Sequence, residues 1–145
     1  MKEGWSSKRF FLVFLCIAFG ISLSGCAGTP YKPAGPVNCP ANFQWEVAPE
    51  AEITLLNCSL KPYAGWKKKS VLHFEIGVKN KCQTAQRFRV QFFLPEDAQA
   101  GGGLLPASGK PPHLEPGKEA KGTYPINLER IPAKVQVIVK TVALD

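Results

Sequence analysis

Side chains able to do chemistry are scarce in this chain. Its 145 residues hold five cysteines and two histidines, and the only aspartates are Asp97 and Asp145. Neither His73 nor His113 has a nucleophile beside it in sequence, and no Gly-x-Ser-x-Gly elbow is present to expose an activated serine. Glu46, Glu50 and Glu52 are spaced as residues of strand faces, where carboxylates are usually solvated rather than paired for glycoside cleavage. Zinc ligands normally come in Cys-x₂-Cys or His-x₃-His spacings, and none occurs. The triple glycine at 101–103 lacks the Gly-Lys-Ser/Thr ending of a phosphate loop. No enzyme, no metal and no cofactor is therefore expected. A small hydrolase assembled in space around His73 or His113 is the third-ranked reading.

Two groups of residues carry more information. In Trp66-Lys67-Lys68-Lys69 an aromatic ring adjoins three cations in a turn-like stretch. Such a run suits an anionic interface, where each lysine contributes about 1 kcal/mol near a charged membrane. Its bland alternative is a solvated turn. The second group is the cysteines. If the runs around Phe43 and Ile53 form a hairpin about Pro49-Glu50, Cys39 and Cys58 fall at one end of it, and Cys82 falls in a loop elsewhere. A Cys39–Cys58 disulfide is then expected, with one thiol left over or paired to another chain. Three reduced thiols is the alternative.

The amino terminus places these residues in a compartment. Lys2, Lys8 and Arg9 precede an apolar run from Phe10 to Leu23, 14 residues long. A membrane-spanning helix needs about 20 such residues, so the pattern predicts a secretory leader. The leader ends in Leu23-Ser24-Gly25-Cys26. This tetrapeptide in this context resembles the lipobox of bacterial lipoproteins. The resemblance implies that the Cys26 thiol receives diacylglycerol, that residues 1–25 are cleaved away, and that the new terminus is open to acylation. Ala27 stands where an aspartate marks retention in the inner membrane of enteric-type bacteria. The outer membrane, on its periplasmic face, is accordingly favoured. The mature chain then carries 15 cations against 10 anions, a net +5. That balance suits a phosphate-rich membrane surface, and no nucleic-acid partner is expected in the envelope.

Beyond Cys26, residues 26–42 hold Pro30, Pro33, Pro36 and Pro40 with Gly28 and Gly35. This composition predicts an extended linker, able to lift a domain some 40 Å at about 3.1 Å per residue. Residues 43–145 then form the folded domain. Period-two alternation marks strands in Phe43–Val47, Leu72–Val78, Phe88–Leu94 and Lys134–Val142, with a further apolar run from Ile53 to Leu60. Asn80–Thr84 reads as a hairpin loop, and His73 falls on a wet strand face. The breakers from Pro95 to Gly117 predict a long irregular loop, and Glu119–Ile126 reads as an edge strand limited by Pro125. No stretch forms a convincing amphipathic helix.

Six to seven short strands joined by Gly/Pro turns predict an all-β antiparallel sandwich. The segments Val78-Lys79-Asn80, Pro95-Glu96-Asp97 and Leu114-Glu115-Pro116-Gly117 also resemble a loose family of bacterial envelope Ig-like domains. That resemblance implies a fold and no activity. The expected function is a membrane-anchored accessory or protein-binding module, with strand edges and the 95–117 region as contact surface. The alternative is a structural lipoprotein that binds anionic envelope polymer through Trp66–Lys69.

Overall fold

A computed structural model of the chain describes residues 30–65, 70–109 and 112–144. Cys26, the leader and Trp66, Lys67, Lys68 and Lys69 lie outside the described residues. Eight strands follow in order: β1 (Val37–Asn38), β2 (Asn42–Val47), β3 (Ala51–Lys61), β4 (Val71–Asn80), β5 (Arg87–Leu94), β6 (Gln99–Leu105), β7 (Glu119–Ile126) and β8 (Lys134–Val142). They form two four-stranded sheets, ordered β1-β3-β4-β7 and β2-β8-β5-β6. The protein is an all-β sandwich.

The alternating residues explain why the sheets stack. A strand sends successive side chains to opposite faces, so Phe88, Val90, Phe92 and Leu94 of β5 all enter the core. Leu72, Phe74, Ile76 and Val78 of β4 and Val135, Val137 and Val139 of β8 join them. The rings of Phe74 and Phe92 stack across the sandwich with centroids 4.5 Å apart. Burying side chains of this size contributes about 1.5–3 kcal/mol each.

Several sequence expectations are corrected here. The sheets are mixed rather than purely antiparallel, because β1 runs parallel to β3 and β2 parallel to β8. Each of these added strands lies at a sheet edge. The runs around Phe43 and Ile53 are not a hairpin, since β2 and β3 belong to different sheets. Residues 80–84 likewise join two sheets rather than two paired strands. The stretch after Pro95 is not one long loop: a single 3₁₀ turn, Pro95–Asp97, leads into β6, which contains the glycine triplet. His73 is buried rather than wet, its ring edge-on to Tyr63.

The linker assignment for residues 26–42 also fails from Tyr31 onward. Residues 31–41 form a strap along the sandwich, with β1 in one sheet and the next strand, β2, in the other. The prolines that suggested a spacer instead hold this strap extended beside β3.

Candidate functional site

The strap is fixed by hydrogen bonds along its length. The backbone N–H groups of Ala34 and Gly35 donate to the Ile53 carbonyl at 3.0 and 3.2 Å, and Leu56 N–H donates to the Pro36 carbonyl at 2.9 Å. Ile53 N–H donates to the Tyr31 hydroxyl at 2.8 Å. The Tyr31 ring lies 6.0 Å from that of Trp45, which stacks on Phe43 at 5.3 Å. Burial raises the Tyr31 pKa above the ordinary phenol value. A β-carbon added to Gly35 would stand 1.6 Å from the Thr54 carbonyl oxygen, so only glycine permits this approach. Thr54 sits where the pairing of β3 with β4 shifts register, a bulge that pushes this carbonyl toward the strap.

The strap ends in a covalent lock. Asn38 pairs with Asn57, so the next residue on each strand comes opposite the other. Those residues are Cys39 and Cys58, joined by a disulfide with Cα atoms 5.1 Å apart. The expected pair is the bonded pair, but parallel registration of β1 on β3 brings the thiols together, not a hairpin. A loop of this length contributes about 3 kcal/mol when closed.

At one end of the sandwich the Asn80 side chain ties two loops together. It is fully buried. Its Nδ2 donates to the carbonyls of Thr84 at 2.8 Å and Leu114 at 2.9 Å. Its Oδ1 accepts from Cys82 N–H at 2.8 Å, and its own carbonyl accepts from Gly117 N–H at 2.9 Å. The short segments ending at Asn80 and spanning Leu114–Gly117 thus meet each other. Both segments are legible in the sequence but their contact is not; its one signal is an asparagine at a strand end, a residue that bonds backbone two positions on.

Cys82 is the free cysteine among the described residues. The Thr84 hydroxyl donates to its sulfur at 3.6 Å. That bond, with backbone donors of Thr84 and Gln83, holds the thiol pKa below its usual value. A shallow cavity of about 500 Å³ beside it is lined by Lys79, Lys81, Gln83 and Gly117 among others.

A second concavity lies on the outer face of β5 and β6. Arg89, Gln91 and Phe93 border a groove of about 270 Å³ whose floor is Ala100 and Gly101–Gly103. Gly102 has φ +148°, and a β-carbon there would stand 2.1 Å from the Val90 carbonyl oxygen. The bare backbone leaves Phe93 36% exposed beside the exposed Arg89.

The histidines are far from being one centre. His73 Nδ1 lies 3.0 Å from the Val71 carbonyl in the core of a sheet, whereas His113 Nε2 lies 2.6 Å from Glu115 Oε1 in a loop. Glu46 contacts Lys140 on the surface, while the Glu50 carbonyl accepts from Lys81 N–H in a turn. Among the described residues no group of three metal-ligating side chains gathers. What the arrangement offers is surface: an aromatic–arginine groove, a rigid loop end and a bonded strap. No family model, no curated protein and no solved structure matches the chain.

Proposed function

We propose that the chain is a lipoprotein of the bacterial envelope, lipidated at Cys26 and held on the periplasmic face of the outer membrane. Its Ig-like sandwich serves as a non-enzymatic accessory module that holds a protein partner. The observation that carries this reading is the cationic and apolar leader ending in Leu23-Ser24-Gly25-Cys26. The Cys39–Cys58 bond fits the same reading, since disulfides persist in exported proteins and are rare in the cytosol. The groove of Arg89, Gln91 and Phe93 is the proposed contact surface. Arginine and aromatic side chains together carry much of the binding energy in protein interfaces.

Two measurements test the proposal. Metabolic labelling with a palmitate analogue is expected to tag the wild-type chain, and Cys26→Ser is expected to abolish both the label and membrane fractionation. Persistence of the label in Cys26→Ser would contradict the assignment. Crosslinking in intact envelopes is expected to trap one protein with wild type and to lose it with Arg89→Ala/Phe93→Ala. The run Trp66-Lys67-Lys68-Lys69 favours the second reading, a structural lipoprotein that binds anionic polymer. Charge reversal at Lys67, Lys68 and Lys69 separates the two readings, because it leaves capture of a protein partner intact.

A further inference from the structure

The strap determines which way the domain stands on its membrane. From Cys26 to Tyr31 the chain takes five residue steps, which span at most about 18 Å even when fully extended. Tyr31 is already part of the fold, its hydroxyl bonded to Ile53 N–H and its ring against Trp45. A lipid on Cys26 therefore cannot hold the sandwich on the long spacer that the proline spacing predicts.

The point of attachment lies near one end of the molecule. Ile53 is two residues from the start of β3. At that end the Glu50 turn meets the loop after β4, with Lys81 N–H donating to the Glu50 carbonyl at 2.8 Å. The same end carries Gln83, Lys118 and the last described residue of the chain, Leu144, which is 47% exposed. β5 begins and β8 finishes there, since Arg87 pairs with Val142. The opposite end holds Lys61, paired with Val71, and the residues following β7, such as Asn127. Eight residues of β3 separate Ile53 from Lys61, about 26 Å at 3.3 Å per residue. That exceeds the reach of the link, so the molecule cannot stand inverted on its far end.

We infer that the end formed by the Glu50 turn, the Lys81–Gln86 loop and the carboxyl-terminal residues rests against the lipid headgroups of the anchoring membrane, with the Lys61–Val71 end directed away from it. This inference rests on lipidation of Cys26. Charge plays a secondary part, because Lys32, Lys81 and Lys118 at this end are offset by Glu50 and Glu115. The short covalent link positions the domain, and the exposed Leu144 adds apolar contact.

Fluorescence quenching tests the orientation on the lipidated chain in phospholipid vesicles that carry a nitroxide headgroup. In a Cys82→Ser background, one variant carries the dye at Gln83→Cys and another at Asn127→Cys. Quenching is expected to be several-fold stronger at position 83. An insert of about ten Gly/Ser residues between Thr29 and Pro30 is expected to bring the two signals together. Equal quenching without the insert, or stronger quenching at position 127, would overturn the inference. The mass of the amino-terminal peptide is read on the same sample. A chain without lipid overturns the anchoring proposal and the orientation with it, whereas a lipidated chain with equal quenching overturns the orientation alone.

Discussion

At the scale of single residues, Asn80 does the most structural work per atom. Its amide satisfies two carbonyls and one N–H that would otherwise be buried without partners. Asn80→Ala is expected to cost roughly 2–4 kcal/mol, because unsatisfied buried polar groups carry their full desolvation penalty. Chemical denaturation checks this, and Asn80→Asp is expected to fail as well, since a carboxylate cannot donate to Thr84 and Leu114. Cys82 offers a second test. Donors from Thr84 stabilise its thiolate, so the pH midpoint of its alkylation is expected below that of an ordinary cysteine, near 8.5. Thr84→Val removes the first of those donors and is expected to move the midpoint upward. The alkylation rate against pH, read by mass spectrometry, is the measurement. Neither role is visible in composition, because each depends on how residues 81–86 fold back on themselves and, for Asn80, on their meeting Leu114 at one end.

At the scale of elements, the strands that alternate regularly were legible in the sequence. β8 spans Lys134–Val142 as expected, and β4 and β5 begin and end within a residue or two of their apolar patterns. Two elements were not legible, each for a physical reason. β6 contains Gly101-Gly102-Gly103, which reads as a breaker. It is a strand because it pairs with β5 along its whole length, and it is glycine-rich because β7 packs close over it: a β-carbon at Gly101 would stand 2.7 Å from Ile126 Cγ1, and one at Gly103 would stand 2.9 Å from Tyr124 Cε1. Gly102→Ala is expected to lower the thermal midpoint, because φ is +148° there and a β-carbon would stand 2.1 Å from the Val90 carbonyl oxygen; the cost, about 1–3 kcal/mol, is checked by calorimetry. The strap was misread because its prolines match both a spacer and an extended segment lying on a sheet edge. Its disulfide yields a further expectation. Cys39→Ser/Cys58→Ser should lose about 2–4 kcal/mol, and reductant should destabilise wild type but not the double variant. An equal response to reductant in both proteins would contradict a structural role for the bond.

At the scale of the whole molecule, fold class followed from local pattern while sheet pairing did not. Alternation shows which residues face a core, but not which sheet a strand joins, and the chain changes sheets at residues 39–41, 48–50, 81–86, 106–118 and 127–133. The candidate contact surface was only partly legible for the same reason: the groove of Arg89, Gln91 and Phe93 depends on the glycine floor that β6 supplies. The proposed anchoring was legible as a motif, and the strap gives that anchor a short reach. Two acyl chains at about 0.8 kcal/mol per buried CH₂ hold a protein against salt but not against detergent. The most direct test of the account is the intact mass of the protein purified from membranes. The account predicts a chain beginning at Cys26, heavier than the bare residues by a diacylglyceryl group and any amino-terminal acyl chain. A chain that retains residues 1–25, or one that begins at Cys26 with no added mass, would contradict it.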